Sequence, residues 1–150
     1  MSLRDGSSKM SKSDISDMSR ITLSDDADTI MRKIKKAKTD PDVLPDSIEG
    51  LEGRPEASNL LGIYAALAEV SLNQAVDGFA GQQFSALKNG LSDLLIEKMA
   101  PITSEMQRLM ADPGHVDDIL AQGAARARAV AEPIMADIRE KVGFLGARRK

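Results

Sequence analysis

The chain has 150 residues, of which 42 % are apolar and only 3 % aromatic, so a single domain with an aliphatic core is expected. The absence of cysteine excludes disulfides and thiolate metal sites, and the one histidine, His115, is too few for a histidine metal centre. The net charge of −3 argues against a general nucleic-acid coat protein, although it leaves room for a basic patch that binds one RNA.

The first 57 residues are predicted to form a loop, a short helix and a connector. Residues 1–22 are rich in Ser, Lys and Asp, which indicates a mobile loop. A helix is expected to start at Ser24-Asp25-Asp26, where carboxylates suit a helix N-terminus, and to end at Asp40-Pro41. Residues 39–57 hold three prolines and two glycines, so they are predicted to form a connector and the best hinge in the chain.

Helical periodicity dominates the second part of the chain. Ser58 is expected to cap one helix, and Ser71 a second helix that ends near Phe79. A longer apolar pattern predicts a helix over residues 82–111, with a kink or a break at Pro101.

A last helix is predicted from about Val116 to Val142, with Gly143 as its C-terminal cap. Four methionines occupy apolar helical positions and are expected in the core: Met99, Met106, Met110 and Met135. Because no alternating apolar strand pattern is found, the predicted fold class is all-α, a mobile N-terminal loop followed by a helical bundle from residue 58 onward.

Neither a membrane span nor a signal peptide is expected from the sequence. The longest apolar run, Leu60–Ala68, is much shorter than the roughly 20 residues that cross a bilayer. The N-terminus is polar rather than apolar. With the lack of cysteine, this pattern predicts a cytoplasmic protein with no membrane partner.

One stretch of the predicted loop suits phosphate chemistry: Lys9, Met10, Ser11, Lys12 and Ser13. Two lysines three residues apart can place two ammonium groups on one polyphosphate, and serine hydroxyls and backbone N–H groups add donors. The stretch is not a P-loop, because Ser11 rather than glycine precedes Lys12. The simpler interpretation of a Lys/Ser loop is a solvated, disordered segment.

The string Lys-Met-Ser-Lys-Ser is the second signature of the class I aminoacyl-tRNA synthetases, and essentially the whole chain resembles the bacterial tryptophanyl-tRNA synthetases. The similar stretches are residues 1–6, residues 21–27, the Lys-Ala-Lys-Thr-Asp of residues 36–40, Ser58-Asn59-Leu60-Leu61 and the basic ending at residues 143–150. The related tyrosine enzymes share the fold and a similar loop, but the Ser-Asn-Leu-Leu and Lys-Thr-Asp stretches are closer to the tryptophan enzymes.

The chain lacks the nucleotide-binding Rossmann domain that precedes this loop in the family, with its first signature and its tryptophan pocket. The resemblance therefore implies the C-terminal part of a synthetase, begun at an internal methionine. Residues 1–22 then correspond to the catalytic loop and its lead, residues 23–57 to a linking helix and connector, and residues 58–150 to a helical domain like the anticodon-binding domain.

The resemblance also implies an activity, ATP-dependent activation of tryptophan and its transfer to tRNA(Trp). Lys12 is expected to stabilise the leaving pyrophosphate and Lys9 to hold the polyphosphate, while Met10, Ser11 and Ser13 shape the ATP-binding loop. Magnesium is expected to arrive on the ATP phosphates, with no protein metal site. The complete enzyme is expected to be a homodimer that binds no DNA, and the isolated chain is expected to be inactive.

Two alternatives stand beside this interpretation. The chain could act alone as a non-catalytic helical module that binds tRNA or a protein, or it could be a soluble α-bundle of unrelated role. Five basic residues near the end suit RNA phosphates, although they also suit a solvated basic face: Arg126, Arg128, Arg148, Arg149 and Lys150. His115 is expected to be a surface or capping residue.

Overall fold

The computed structural model describes residues 1–144, which fold into helices joined by irregular segments. The α-helices in this range are α1 (Ala27–Lys35), α2 (Pro55–Ala68), α3 (Leu72–Phe79), α4 (Phe84–Ala111) and α5 (Pro113–Lys141). Two short 3₁₀ turns cover Asp17–Ser19 and Glu49–Leu51. No strand occurs among residues 1–144, so the all-α prediction is confirmed for that range.

The chain divides into two compact units, Met1–Gln107 and Arg108–Lys150. The hydrophobic core lies in the first unit and is almost entirely aliphatic, as the composition predicts. Its most deeply buried side chains come from the N-terminal loop, the connector and helices α1 to α4: Leu3, Ile30, Ile34, Leu44, Leu60, Leu61, Val76, Leu87 and Leu91. Because Leu3 is only 2 % exposed, the start of the predicted loop is part of the packed structure.

Helix α1 starts where the sequence predicts and ends earlier. Asp26 is its N-cap and accepts a hydrogen bond from the backbone N of Thr29 at 2.8 Å. The helix ends at Lys35 rather than at Asp40-Pro41. The Nζ of Lys88 donates to the backbone oxygens of Lys35 (3.0 Å) and Ala37 (2.7 Å), so a side chain from α4 satisfies carbonyls at the end of α1.

Helix α2 starts at Pro55, three residues before the predicted cap Ser58. Proline suits the first helical position because the N–H it lacks has no intrahelical partner there. The preceding Arg54 holds the connector: its guanidinium donates to the carboxylate of Asp40 at 2.6 and 3.1 Å and to the Val43 carbonyl at 2.8 Å. The segment predicted as a hinge is thus braced by a two-pronged ion pair.

The predicted cap of α3 is confirmed, and of the kink or break predicted at Pro101 the break does not occur. Ser71 Oγ accepts from the backbone N of Gln74 at 3.2 Å, and Gln74 Oε1 accepts from the Ser71 N at 2.9 Å, which completes a capping box. Helix α4 continues through Pro101. Leu95 and Thr103, on either side of this proline, are both buried, so packing offsets the hydrogen bond that proline removes.

Helix α5 differs most from its prediction, because none of its residues is buried. It starts at Pro113 with Asp112 as its cap, and Gly143 follows its end with φ +74°, as predicted for a C-terminal glycine. Of the methionines expected in the core, Met99 packs against it, whereas three are 36 %, 65 % and 40 % exposed: Met106, Met110 and Met135. Thr103 is the last buried residue of α4, so the apolar pattern beyond it does not correspond to buried positions.

No helix among residues 1–144 combines the length and apolar character needed to cross a membrane.

The N-terminal loop touches α2 so closely at Gly6 that a side chain does not fit. A Cβ on Gly6 would lie 2.4 Å from the Pro55 oxygen and 2.7 Å from the Glu56 nitrogen. We expect Gly6→Ala to lower the free energy of unfolding by about 2–3 kcal/mol, because backbone atoms must move to relieve the overlap. Urea denaturation of the chain measures this loss.

Gly62→Ala is the matched control for the Gly6 substitution. Gly62 lies within α2, and a Cβ there meets nothing within 4 Å. Alanine is the better helix former, so this variant should be more stable than the wild type by about 0.5–1 kcal/mol. Equal stability changes in the two variants would show that the loop does not approach α2 as described.

Candidate functional site

The predicted phosphate-binding residues lie on the exposed part of a loop that is fixed at its base. A tight turn over Asp5–Ser8 precedes them. The Asp5 carboxylate accepts hydrogen bonds from the hydroxyls of Ser7 and Ser8, both at 2.6 Å, and from the Ser7 backbone N at 3.1 Å. These bonds lower the pKa of Asp5 to about 2, so the turn keeps its charged acceptor throughout the neutral range. Lys9 follows this turn directly.

Backbone hydrogen bonds close the base of the loop. The backbone N of Ser2 donates to the Ser8 oxygen at 2.8 Å, and the backbone N of Leu3 donates to the Ser19 oxygen at 2.9 Å. The Leu3 oxygen in turn accepts from the N of Lys38 just after α1, at 2.8 Å. Ser19 and Leu3 are buried, so residues 9–16 form an excursion from a packed stem.

Both lysines of the loop are exposed and have no partner in the described part of the chain. Neither Lys9 nor Lys12 forms a hydrogen bond or an ion pair there through its ammonium group. Lys12 lies in a turn in which the backbone N of Asp14 donates to the Ser11 oxygen at 3.3 Å. The hydroxyls of Ser11 and Ser13 are 3.1 Å apart, on either side of Lys12. The loop thus presents two free cations and a pair of hydroxyls, which suits a polyphosphate.

Arg20 braces the exposed part of the loop through hydrogen bonds to its backbone. Its Nη1 atom lies 3.5, 3.2 and 3.4 Å from the backbone oxygens of Ser11, Asp14 and Ser16, which accept its hydrogen bonds. Its Nη2 atom is 3.3 Å from Oδ1 of Asp17. A single guanidinium therefore ties together the carbonyl groups that surround the turn at Lys12.

Lys33 links this brace to helix α1. Its side chain is 1 % exposed, and its Nζ lies 2.8 Å from Oδ2 of Asp17 and 2.7 Å from Oδ2 of Asp25. Asp25 also accepts from the backbone N and the hydroxyl of Thr22, at 2.9 and 2.8 Å. Burial raises the pKa of Asp25, but the hydrogen bonds from Lys33 and Thr22 outweigh burial, so its pKa lies below the usual range. Asp25 is therefore a charged partner of Lys33 at neutral pH.

Sequence reasoning missed this buried pair. The sequence predicted Asp25 only as one of the acidic residues at a helix start and gave no partner for Lys33. One signal was present, because Lys33 shares the buried face of α1 with Ile30 and Ile34. A lysine in such a stripe must either extend to solvent or find a carboxylate.

Two of the five basic residues predicted near the end of the chain lie in the described part of the second unit. Arg126 and Arg128 are exposed on α5, whereas Arg148, Arg149 and Lys150 lie outside the described residues. His115 is exposed, and its backbone N donates to Asp112 Oδ1 at 3.1 Å, so its prediction as a surface residue is confirmed. Residues 1–144 contain no group of three or more His, Cys, Asp or Glu side chains that could hold a metal ion.

Curated proteins that match nearly the whole chain are tryptophan–tRNA ligases. The tryptophan–tRNA ligase of Rhizobium meliloti (strain 1021) is 59 % identical over 145 residues, and that of Caulobacter vibrioides is 51 % identical over 147. These matches cover 97 % and 98 % of this chain but only 41 % and 43 % of the relatives. The chain therefore spans less than half the length of these relatives.

A solved structure and a family model complete the comparison. The crystal structure of tryptophanyl-tRNA synthetase from Mycoplasma pneumoniae matches with a TM-score of 0.70 at 24 % identity, over 100 % of this chain and 46 % of that one, which shows a shared fold. The family model described as tRNA synthetases class I (W and Y) matches residues 1–95, which contain the loop, its brace and helices α1 to α3. The family model covers more than half of this chain, so the chain belongs to the class I tRNA synthetases of the W and Y group.

Proposed function

We propose that the chain is the C-terminal part of a tryptophan–tRNA ligase and that Lys9–Ser13 is its ATP-binding loop. The observation that carries the proposal is the pair of exposed, unpartnered ammonium groups on a loop with a packed stem. Membership of the W and Y family and the identity to tryptophan–tRNA ligases support tryptophan as the amino acid. ATP with its magnesium is then a substrate, held through its phosphates.

The proposed reaction develops negative charge on a leaving group, and the loop supplies positive charge. The tryptophan carboxylate attacks the α-phosphorus of ATP, the bond from that phosphorus to the bridging oxygen breaks, and pyrophosphate leaves. Lys12 stabilises the charge on the pyrophosphate, most strongly in the transition state, and Lys9 holds the polyphosphate. No general base is required, because the attacking carboxylate is already ionised at neutral pH.

The remaining parts of the proposed enzyme lie outside these 150 residues. The relatives are more than twice as long as the matched region, which leaves room for a nucleotide-binding domain, a tryptophan pocket and most of a homodimer interface. We expect activity only from the complete enzyme, acting in the cytoplasm on tRNA(Trp). The coding sequence upstream of Met1 tests this: an open frame that encodes a His-Ile-Gly-His-like string supports it. A stop codon and a start signal directly before Met1 would favour the stand-alone binding module.

The proposed contact with tRNA can be tested on helix α5. Arg126 and Arg128 are exposed and can meet RNA phosphates. We expect the 150-residue chain to bind tRNA weakly. Binding releases counterions from the RNA, and this release is less favourable at high salt, so the affinity should fall about tenfold or more between about 50 and about 200 mM salt. Filter binding over a salt series measures this.

Two variants make the salt experiment specific. The double variant R126Q/R128Q should weaken binding further and flatten the salt dependence. Lys98→Gln, which removes an exposed lysine from α4, should change neither. Tight binding that does not respond to salt would contradict an electrostatic contact through α5.

A further inference from the structure

A row of four alternating charges runs from helix α1 to the loop: Asp25, Lys33, Asp17 and Arg20. We propose that Asp17 is a positioning residue that fixes the loop lysines relative to α1. Asp17 contacts the buried Lys33 with one carboxylate oxygen and Arg20 with the other. The part of this inference that concerns catalysis rests on the proposed function.

Substitution of Asp17 should remove the side-chain link between the loop and α1 and leave the other contacts of both in place. Lys33 has a second carboxylate partner, Asp25 at 2.7 Å, so it stays paired when Asp17 is neutralised. Asp17 itself is 61 % exposed, so its substitution leaves no buried vacancy. Arg20 has no ion pair in the described chain other than that with Asp17, and its remaining hydrogen bonds all go to loop carbonyls. Removal of this carboxylate therefore frees the Arg20 side chain, and the loop carbonyls that it binds, from their link to Lys33, while the stem at Ser19 stays packed.

The expected consequence is a wider range of loop conformations. The carbonyl groups that Arg20 binds include that of Ser11, the residue directly before Lys12. A tethered loop presents Lys12 within a narrow volume, whereas a released loop must be ordered in every catalytic cycle. The tether should thus affect the use of ATP and leave the affinity for tryptophan unchanged.

Limited trypsin digestion of the 150-residue chain tests the tether directly. Trypsin cleaves after lysine, and Lys12 is exposed, so the cleavage rate reports how often the loop takes up an extended form. We expect Asp17→Asn to accelerate cleavage after Lys12 about fivefold, with an unchanged unfolding midpoint, and Asp17→Glu to restore part of the protection. Asp28→Asn, which removes an exposed charge from the first turn of α1, is the matched control and should cleave like the wild type.

Kinetics of the complete synthetase test the positioning role. For Asp17→Asn we expect kcat/KM for ATP in tryptophan-dependent pyrophosphate exchange to fall about fivefold, with KM for tryptophan unchanged. Equal cleavage of Asp17→Asn and wild type would overturn the tether. Faster cleavage with an unchanged or higher kcat/KM for ATP would overturn the positioning role. Complete absence of exchange in the wild type would refute the proposed function, and the cleavage rates would still decide the tether.

Discussion

Replacing Lys12 by alanine in the complete synthetase is expected to lower the rate of tryptophan-dependent ATP–pyrophosphate exchange by about 10²–10³-fold. The side chain is exposed and unpartnered in the described chain, so the loop itself does not depend on it. Its charge is used only when pyrophosphate develops negative charge, and the loss should therefore appear in kcat. KM for tryptophan should stay within about twofold of the wild-type value.

Lys36→Ala is the matched control for the Lys12 variant. Lys36 is an exposed lysine at the end of α1, outside the loop, and its substitution should leave kcat unchanged. An equal loss of activity in both variants would indicate a general effect of positive charge. A Lys12 variant that loses kcat and tryptophan affinity in the same proportion, or loses neither, would contradict a role in the transition state.

Replacing Lys33 by methionine is expected to destabilise the folded chain by about 3 kcal/mol. Methionine fills a similar volume, but Asp25, which is only 8 % exposed, would lose its cationic partner. The cost arises mainly from the unpaired buried carboxylate. Addition of Asp25→Asn to Lys33→Met should therefore restore part of the stability, because the amide oxygen can still accept from Thr22.

The pH dependence of the Lys33 variant separates charge from packing. The pKa of Asp25 is depressed in the folded wild type, so its contribution to stability is complete above the unfolded-state pKa and is lost as the pH falls through the folded-state pKa. The difference in unfolding free energy between wild type and Lys33→Met should thus be largest near neutral pH and shrink below about pH 4. A difference that is constant with pH would point to lost packing. Lys36→Met should cost less than about 0.5 kcal/mol.

Much of the fold follows from local patterns that act within a few residues. The start of α1 was predicted at Ser24-Asp25-Asp26 because carboxylates suit a helix N-terminus, and the structure places the cap at Asp26. The cap at Ser71 was predicted because a serine side chain bonds to the backbone three residues ahead. The glycine after α5 was predicted because a left-handed residue ends a helix well. These interactions need no knowledge of the rest of the chain.

Features that depend on distant contacts could not be predicted in this way. Helix α1 ends at Lys35, and Lys88, about fifty residues away, donates to the carbonyls of Lys35 and Ala37 there. The apolar residues of α5 recur at helical spacing, which predicts an apolar face of the helix. The spacing does not show whether that face is buried, and none of the residues of α5 is. The Lys33–Asp17–Arg20 connection also required the structure, since it joins a loop to a helix through side chains.

In the candidate site, too, the local motif was visible in the sequence and the distant contacts that support it were not. The five loop residues were singled out from the sequence alone, because the string Lys-Met-Ser-Lys-Ser resembles a family signature and its lysine spacing is a local property. Their role in binding ATP stays a prediction. Their support could not be seen in the sequence, since it depends on the contacts of Leu3 with Ser19 and of Gly6 with Pro55. The structure therefore adds a stem and a brace to a motif whose chemistry the sequence already suggests.

The most direct test of this account is ATP–pyrophosphate exchange by the complete protein that contains this chain, measured with tryptophan and with tyrosine in parallel. The proposed function predicts exchange with tryptophan that far exceeds exchange with tyrosine and that is abolished or greatly reduced by Lys12→Ala. Exchange that prefers tyrosine, or a folded complete protein that exchanges with neither amino acid, would contradict it.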